Sequence, residues 1–164
     1  MLLTGTYPRS LDEKQRIAIP KPLRDTLASA SEGVLYVAPG TDGSLSLYPE
    51  EAFARLAERL AQASPNARQV RDYSRLFYAR ATRVELDRQG RVRLPQELIQ
   101  LARLKREVVL LGVQDHLELW DKEEWEAYLE EKLTHYDEIA EAAFGGGPIE
   151  PAPPAEAPAN RAPK

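Results

Sequence analysis

Two short runs of this chain alternate strictly between apolar and polar positions and then stop at a proline. In Arg16-Ile17-Ala18-Ile19-Pro20 the isoleucines share one side while Arg16 and Ala18 share the other. In Arg91-Val92-Arg93-Leu94-Pro95, Val92 and Leu94 likewise oppose Arg91 and Arg93. A period of two predicts a half-buried strand at each place, and proline, which has no backbone N–H, ends it. Apolar runs at 34–38 and 44–48, joined by the turn dipeptide Asp42-Gly43, predict a hairpin, and runs at 108–113 and 117–120 predict another. The period then lengthens. Pro49, Glu50 and Glu51 open a helix whose Phe53, Leu56 and Leu60 form one stripe. Asp121, with Glu124 three residues later, is an aspartate form of the capping box ahead of Trp125, Tyr128 and Leu129. Ser64-Pro65 starts a further helix with Val70, Tyr73 and Phe77 on its apolar side.

The alternating strands belong to a longer repetition. LDEKQRIAIP at 11–20 is answered by LDRQGRVRLP at 86–95. At an offset of 75, Leu11, Asp12, Arg16, Pro20 and Leu23 meet Leu86, Asp87, Arg91, Pro95 and Leu98. Further on the offset is 72, and Leu45, Leu47, Tyr48 and Phe53 meet Leu117, Leu119, Trp120 and Trp125. The length difference falls in the loops at 40–44 and 114–116, where insertions are tolerated, so the pattern is that of a duplication. Each half is predicted to run strand, Asp–Arg turn, strand, short helix, strand pair and closing helix. The helix after Ser64-Pro65 is unique to the junction. From Gly145 the text becomes GGGPIEPAPPAEAPANRAPK, with six of the 13 prolines and almost no apolar bulk, which predicts a disordered tail.

Composition narrows the class. At 164 residues and 43% hydrophobic the chain suffices for one ordinary domain or two very small ones, each half being marginal alone. The absence of cysteine excludes disulfides and thiolate metal sites. The start, MLLTGTYPRS, lacks the pattern of a signal peptide, and no apolar run approaches a membrane span. A soluble intracellular protein with no membrane partner is the expectation. The net charge of −4 hides a strong polarity. Segments 1–24 and 68–106 carry +3 and +7, whereas 25–67 and 107–164 carry −4 and −10. Both positive segments contain the duplicated motif.

An Asp-x-x-x-Arg spacing has a structural use: the carboxylate accepts N–H bonds within the turn and the guanidinium returns across the hairpin to pair with it. That accounts for Asp12 with Arg16 and for Asp87 with Arg91. It leaves Lys14, Arg88 and Arg93 without a task. A twisted strand pair bearing outward arginine and lysine is the right size for a DNA groove, where guanidiniums bond phosphates or guanine edges. Lys14, Arg16, Arg88, Arg91 and Arg93, with Arg9 upstream, form the candidate DNA-binding set. Asp12 and Asp87, which phosphate would repel, are expected to orient the arginines.

Other features point elsewhere. Arg68, Arg71 and Arg75 recur at helical spacing, and their expected role is a solvated face or ion pairs with a neighbouring subunit's acidic helix at 123–131, ahead of phosphate contact. Tyr48, Phe53, Trp120 and Trp125 occupy repeat-equivalent places and are read as packing. His116 and His135 stand isolated, with no metal-ligand spacing. There is no glycine-rich phosphate loop, nucleophile elbow or evident acid pair. No catalytic residue, metal, cofactor or small-molecule substrate is expected.

Through TGTYPRSLDEKQRIAIPKPLRDTL, LYP, VELDRQGRVRLPQELIQLARL, EVVLLGV and LELWDKEEWEAYL, the sequence resembles the MraZ family of bacterial transcriptional regulators over essentially everything but the tail. The resemblance implies an α+β fold with a mainly β core. Two tandem AbrB-like (SpoVT–AbrB) swapped-hairpin units would form an internal pseudo-dimer, with helices outside and chains assembling as a homo-oligomer into a ring. The divisions would be 1–60, a linking helix at 61–79, a second unit at 80–133, a C-terminal helix at 134–144 and the tail at 145–164. It also implies binding to double-stranded DNA at direct repeats in the promoter of the division and cell-wall gene cluster. Repression there would make the protein cytoplasmic and nucleoid-associated. The family's Asp-x-x-x-Arg maps onto Asp12 with Arg16 and Asp87 with Arg91, and its basic turn residue onto Lys14.

The sequence departs from the family at Gln15, where glycine is usual, at Pro8-Arg9, and at Arg80, Ile99 and Arg103, usually glycine, arginine and glycine. If position 15 needs φ > 0, glutamine there costs about 1 kcal/mol relative to glycine. Two competing readings are a ring-forming scaffold that binds proteins through its acidic helices and tail, and an antitoxin-like autoregulator.

Overall fold

The computed structural model describes residues 1–145, so the expected tail lies, from 146 on, outside the described residues. Its first half runs β1 (Thr6–Ser10), β2 (Arg16–Ala18), α1 (Lys21–Ser31), β3 (Val34–Pro39), β4 (Leu45–Pro49) and α2 (Glu50–Gln62). After α3 (Arg68–Arg80) the same order returns in β5 (Thr82–Glu85), β6 (Arg91–Arg93), α4 (Gln96–Leu101), β7 (Glu107–Val113), β8 (His116–Asp121) and α5 (Lys122–Leu133). Helix α6 (Tyr136–Phe144) closes the described chain. Two compact units result, Met1–Ala127 and the part from Tyr128 on.

Within the first unit the halves are interlaced. Six strands form one antiparallel sheet in the order β1-β7-β8-β4-β3-β5. The hairpins β3–β4 and β7–β8 meet at its centre, where Leu47 lies opposite Leu117. Each half then lends its first strand to the other half's hairpin: β1 lies along β7, with Tyr7 opposite Leu110, and β5 along β3, with Val84 opposite Leu35. Pro8 is accommodated because β1 is an edge strand, where a missing N–H breaks no interior ladder.

The strand–turn–strand expected around each Asp–Arg motif is therefore not a self-paired hairpin. The turn forms, but its limbs part company: β2 pairs with β6 in a separate two-stranded ribbon, Ile17 opposite Val92. Ile19 donates its N–H to the Gly90 carbonyl at 2.9 Å, and Leu94 donates to Gln15 at 2.8 Å, so each half closes the other's backbone. Period-two patterning fixes which side chains face inward but carries no label for the partner strand.

The core shows the same mutual dependence. Ile17, Leu27, Leu35, Leu45 and Leu47 from the first half pack in one cluster with Val92, Leu94, Leu98, Leu110, Leu117 and Leu119 from the second, all essentially without solvent contact. Each such side chain contributes roughly 1.5–3 kcal/mol by leaving water, and nearly all of that requires both halves. The aromatic residues pack on one another as expected: Tyr36 stacks on Phe53 at 4.4 Å, and Trp120 meets Trp125 edge-on at 5.4 Å. Helix α3 begins at Arg68, a turn later than Ser64-Pro65 implied, and of its expected apolar side only Phe77 is buried. Asp121, expected to cap α5, is itself buried, and its Oδ1 accepts the Lys105 N–H at 3.1 Å.

Candidate nucleic-acid interface

The two Asp–Arg turns have nearly superimposable chemistry. Asp12 Oδ1 accepts the N–H groups of Lys14 and Arg16 at 2.9 and 2.8 Å, and Asp87 Oδ1 accepts those of Gln89 and Arg91, both at 2.9 Å. The other oxygen takes the arginine's Nε: Arg16 to Asp12 at 2.8 Å, Arg91 to Asp87 at 2.9 Å. Chiefly the backbone N–H of the arginine, against the opposing effect of desolvation, and then its side chain and the N–H two residues into the turn hold both carboxyls below their usual range. The aspartates thus stay ionised and fix one edge of each guanidinium, leaving the terminal nitrogens free to face solvent.

Register on the β2–β6 ribbon brings the two turns together. Ile17 and Val92 point into the core, so the other face shows Arg16 opposite Arg93 and Ala18 opposite Arg91. Like charges directly opposite each other on a strand pair are destabilising. Asp12 offsets Arg16 in part, but Arg93 is exposed and has no carboxylate partner among the described residues. Lys14 and Arg88, on the flanking turns, are likewise exposed and without ion pairs among the described residues. A polyanion would remove the repulsion that the protein leaves standing.

Five of the six cations expected at the site are gathered here. Arg9 is not: it lies on β1 in the six-stranded sheet, half-buried, its Nη1 bonded to the neighbouring Pro8 carbonyl at 3.2 Å and its Nε buried without a partner among the described residues. The stripe Arg68, Arg71 and Arg75 is satisfied within its own neighbourhood. Arg68 and Arg75 lie 3.9 and 3.7 Å from Asp72, and Arg71 bonds the Asn66 carbonyl at 2.8 Å.

Four features became definite only in the fold, the first of them the positive φ at position 15 that the sequence posed as a condition. Gln15 has φ 63°, the conformation that glycine adopts at its counterpart Gly90 with φ 75°, and its side-chain amide donates to Gln96. Arg103, another replacement for glycine, has φ 52°. Arg24 reaches from α1 to the second turn, with its Nε bonded to the Ile19 carbonyl at 3.0 Å. And His116 is not isolated: its Nδ1 lies 2.7 Å from Asp115, its Nε2 lies 3.6 Å from Glu118, and its ring stacks on Tyr48. Burial opposes protonation there, but the bonds to Glu118 and Asp115 prevail and raise its pKa. The backbone angles, the reach of Arg24 and the stacking of His116 on Tyr48 belong to the fold, whereas Asp115 and Glu118 flank His116 in the sequence itself. Among the described residues no cluster of histidine and acids could hold a metal ion, and no helix is long and apolar enough to cross a membrane.

Comparison with known proteins matches the chain twice, with the break inside α3. The family model described as "MraZ protein, putative antitoxin-like" matches residues 2–76 and again 77–145. The "Transcriptional regulator MraZ" of Finegoldia magna is 37% identical over 140 residues, 85% of this chain and 95% of that protein. Proteins of the same name from Nocardia farcinica and Thermobifida fusca are each 39% identical over 145 residues, 88% of this chain and 99% of their own length.

Proposed function

The chain belongs to the MraZ family, and from that premise we propose that it is a sequence-specific regulator of transcription that binds double-stranded DNA through the β2–β6 ribbon and its two turns. Membership of a family whose relatives are named as regulators accords with the expectation that it is no enzyme. The observation that carries the reading is Arg93, without a carboxylate partner among the described residues and directly opposite Arg16 on the outer face, between turns that add Lys14 and Arg88. The interlaced strands support an AbrB-like pseudo-dimer of swapped hairpins, which doubles the motif within one polypeptide.

Lysine and arginine on this face capture the duplex by neutralising phosphates and releasing counterions. Guanidiniums that reach base edges read the sequence. Several chains in a ring engage direct repeats in a promoter, and the second and later contacts form at high effective concentration, so weak single contacts add to tight occupancy. The promoter proposed is that of the division and cell-wall gene cluster, where occupancy excludes transcription and makes the protein a cytoplasmic, nucleoid-associated repressor. Footprinting the protein on DNA upstream of its own gene tests this. Regularly spaced protected repeats are expected, and uniform cleavage at saturating protein contradicts it.

The family's description as antitoxin-like favours one other reading, an antitoxin-like autoregulator. It requires a toxin encoded beside the gene that binds this protein. A neighbourhood without such a gene excludes it.

A further inference from the structure

Resting on that DNA-binding reading, we propose that the two turns are unequal partners: the second, at 87–93, is the main phosphate anchor and includes Arg24 of α1 as a further cation, while the first grips weakly.

The duplication keeps the turn but not its charge. Glu13, Lys14, Gln15 and Ala18 of the first copy stand where the second has Arg88, Gln89, Gly90 and Arg93. The first turn thus sets Lys14 and Arg16 against two acids, Asp12 and Glu13. Arg106 lines a cleft with Leu11, Asp12 and Glu13 beside that turn. The second sets Arg88, Arg91 and Arg93 against Asp87 alone.

Arg24 widens the difference. A Cβ placed on Gly90 would lie 2.5 Å from Arg24 Cδ, 2.8 Å from its Nε and 2.9 Å from its Cζ. The side chain therefore rests on the glycine itself, and a Cβ at this position would displace the guanidinium from its seat. The bond from Nε to the Ile19 carbonyl fixes the plane of the guanidinium. Its terminal nitrogens have no hydrogen-bond or ion-pair partner among the described residues, and no carboxylate neutralises it there. A half-buried, immobilised and uncompensated guanidinium is costly to keep unless an anion completes it. The counterpart of Arg24 is the buried Ile99, and Gln15, in the place of Gly90, is bonded to Gln96. Gly90 thus has a second role besides its positive φ, as the seat of a phosphate-binding arginine.

The test measures the affinity of the full chain for a duplex of the DNA upstream of its own gene, and for a random duplex of equal length, across a range of KCl. Arg24→Gln is expected to make the log–log salt slope shallower by about 0.9, and Arg88→Gln with Arg93→Gln by about 1.8. Lys14→Gln is expected to change it least. Grafting the second turn's charge onto the first, by Glu13→Arg with Ala18→Arg, is expected to tighten binding and steepen the slope. Thermal melting accompanies each variant. If Arg24→Gln destabilises the fold, Arg24→Lys, which keeps a cation, and the graft carry the comparison. An unchanged slope in folded Arg24→Gln, or a Lys14→Gln loss as large as that of the double variant, overturns the inference. Failure of the unaltered protein to bind either duplex overturns the DNA reading itself.

Discussion

Asp12 and Asp87 each close a turn with one carboxylate oxygen and hold an arginine with the other. Because their folded pKa values lie below the ordinary 3.8, they contribute stability that is present above about pH 4 and lost as pH falls through the depressed values. Urea unfolding between pH 3 and pH 7 is expected to show a shallower acid loss in Asp12→Asn with Asp87→Asn than in the unaltered protein. His116 works in the opposite sense. Its folded pKa is raised above 6.5, so its contribution is full below that pH and disappears as pH rises through the folded value. The stability difference between the unaltered protein and His116→Gln is expected to shrink from pH 6 to pH 8, and a difference that grows contradicts the ion-pair geometry. Gln15 pays for its left-handed backbone, so Gln15→Gly is expected to stabilise by about 0.5–1 kcal/mol even after losing its bond to Gln96. Chemical denaturation measures it. The Asp–Arg pairing was legible from spacing alone, because both partners lie within one turn. Asp115 and Glu118 flank His116 in sequence, but Tyr48, on which its ring stacks, comes from the other half and was not legible.

At the scale of elements, alternation located β2 and β6 and assigned their inward residues correctly, since burial of one face is what a period of two records. It could not reveal that β2 and β6 choose each other over the strands preceding their turns. That choice is made by the copied backbone bonds Ile19 to Gly90 and Leu94 to Gln15, and by a shared core beneath. Ile17 is wholly buried under the ribbon, so Ile17→Ala is expected to cost about 2–5 kcal/mol, with loss of DNA binding following loss of the ribbon. A urea midpoint within error of the unaltered protein would mean that the ribbon does not rest on this core. Helix α3 looked amphipathic with an arginine stripe available to partners, but Asp72 sits within reach of two of those arginines on the same helix. Helical spacing identifies a stripe without showing what already satisfies it.

The whole molecule explains why a duplication that reads as two units behaves as one. Strand β1 pairs with β7 and β5 with β3, and the buried cluster draws on both copies. A monomeric fragment 1–76 is therefore expected to be unfolded by circular dichroism and to gain structure only on pairing, with fragment 77–145 or with another copy of itself. Cooperative folding of that fragment as a monomer contradicts the interlaced core. The ribbon brings Arg16 of the first basic segment and Arg91 and Arg93 of the second to one face. The most direct measurement is amide hydrogen exchange by mass spectrometry, with and without a saturating duplex of the promoter DNA. Protection is expected in peptides covering 11–19 and 86–94, strongest in the second. Protection confined to the arginine stripe at 68–75 or to the acidic helix at 122–131, with the ribbon unchanged, would place the nucleic acid elsewhere and contradict the assignment.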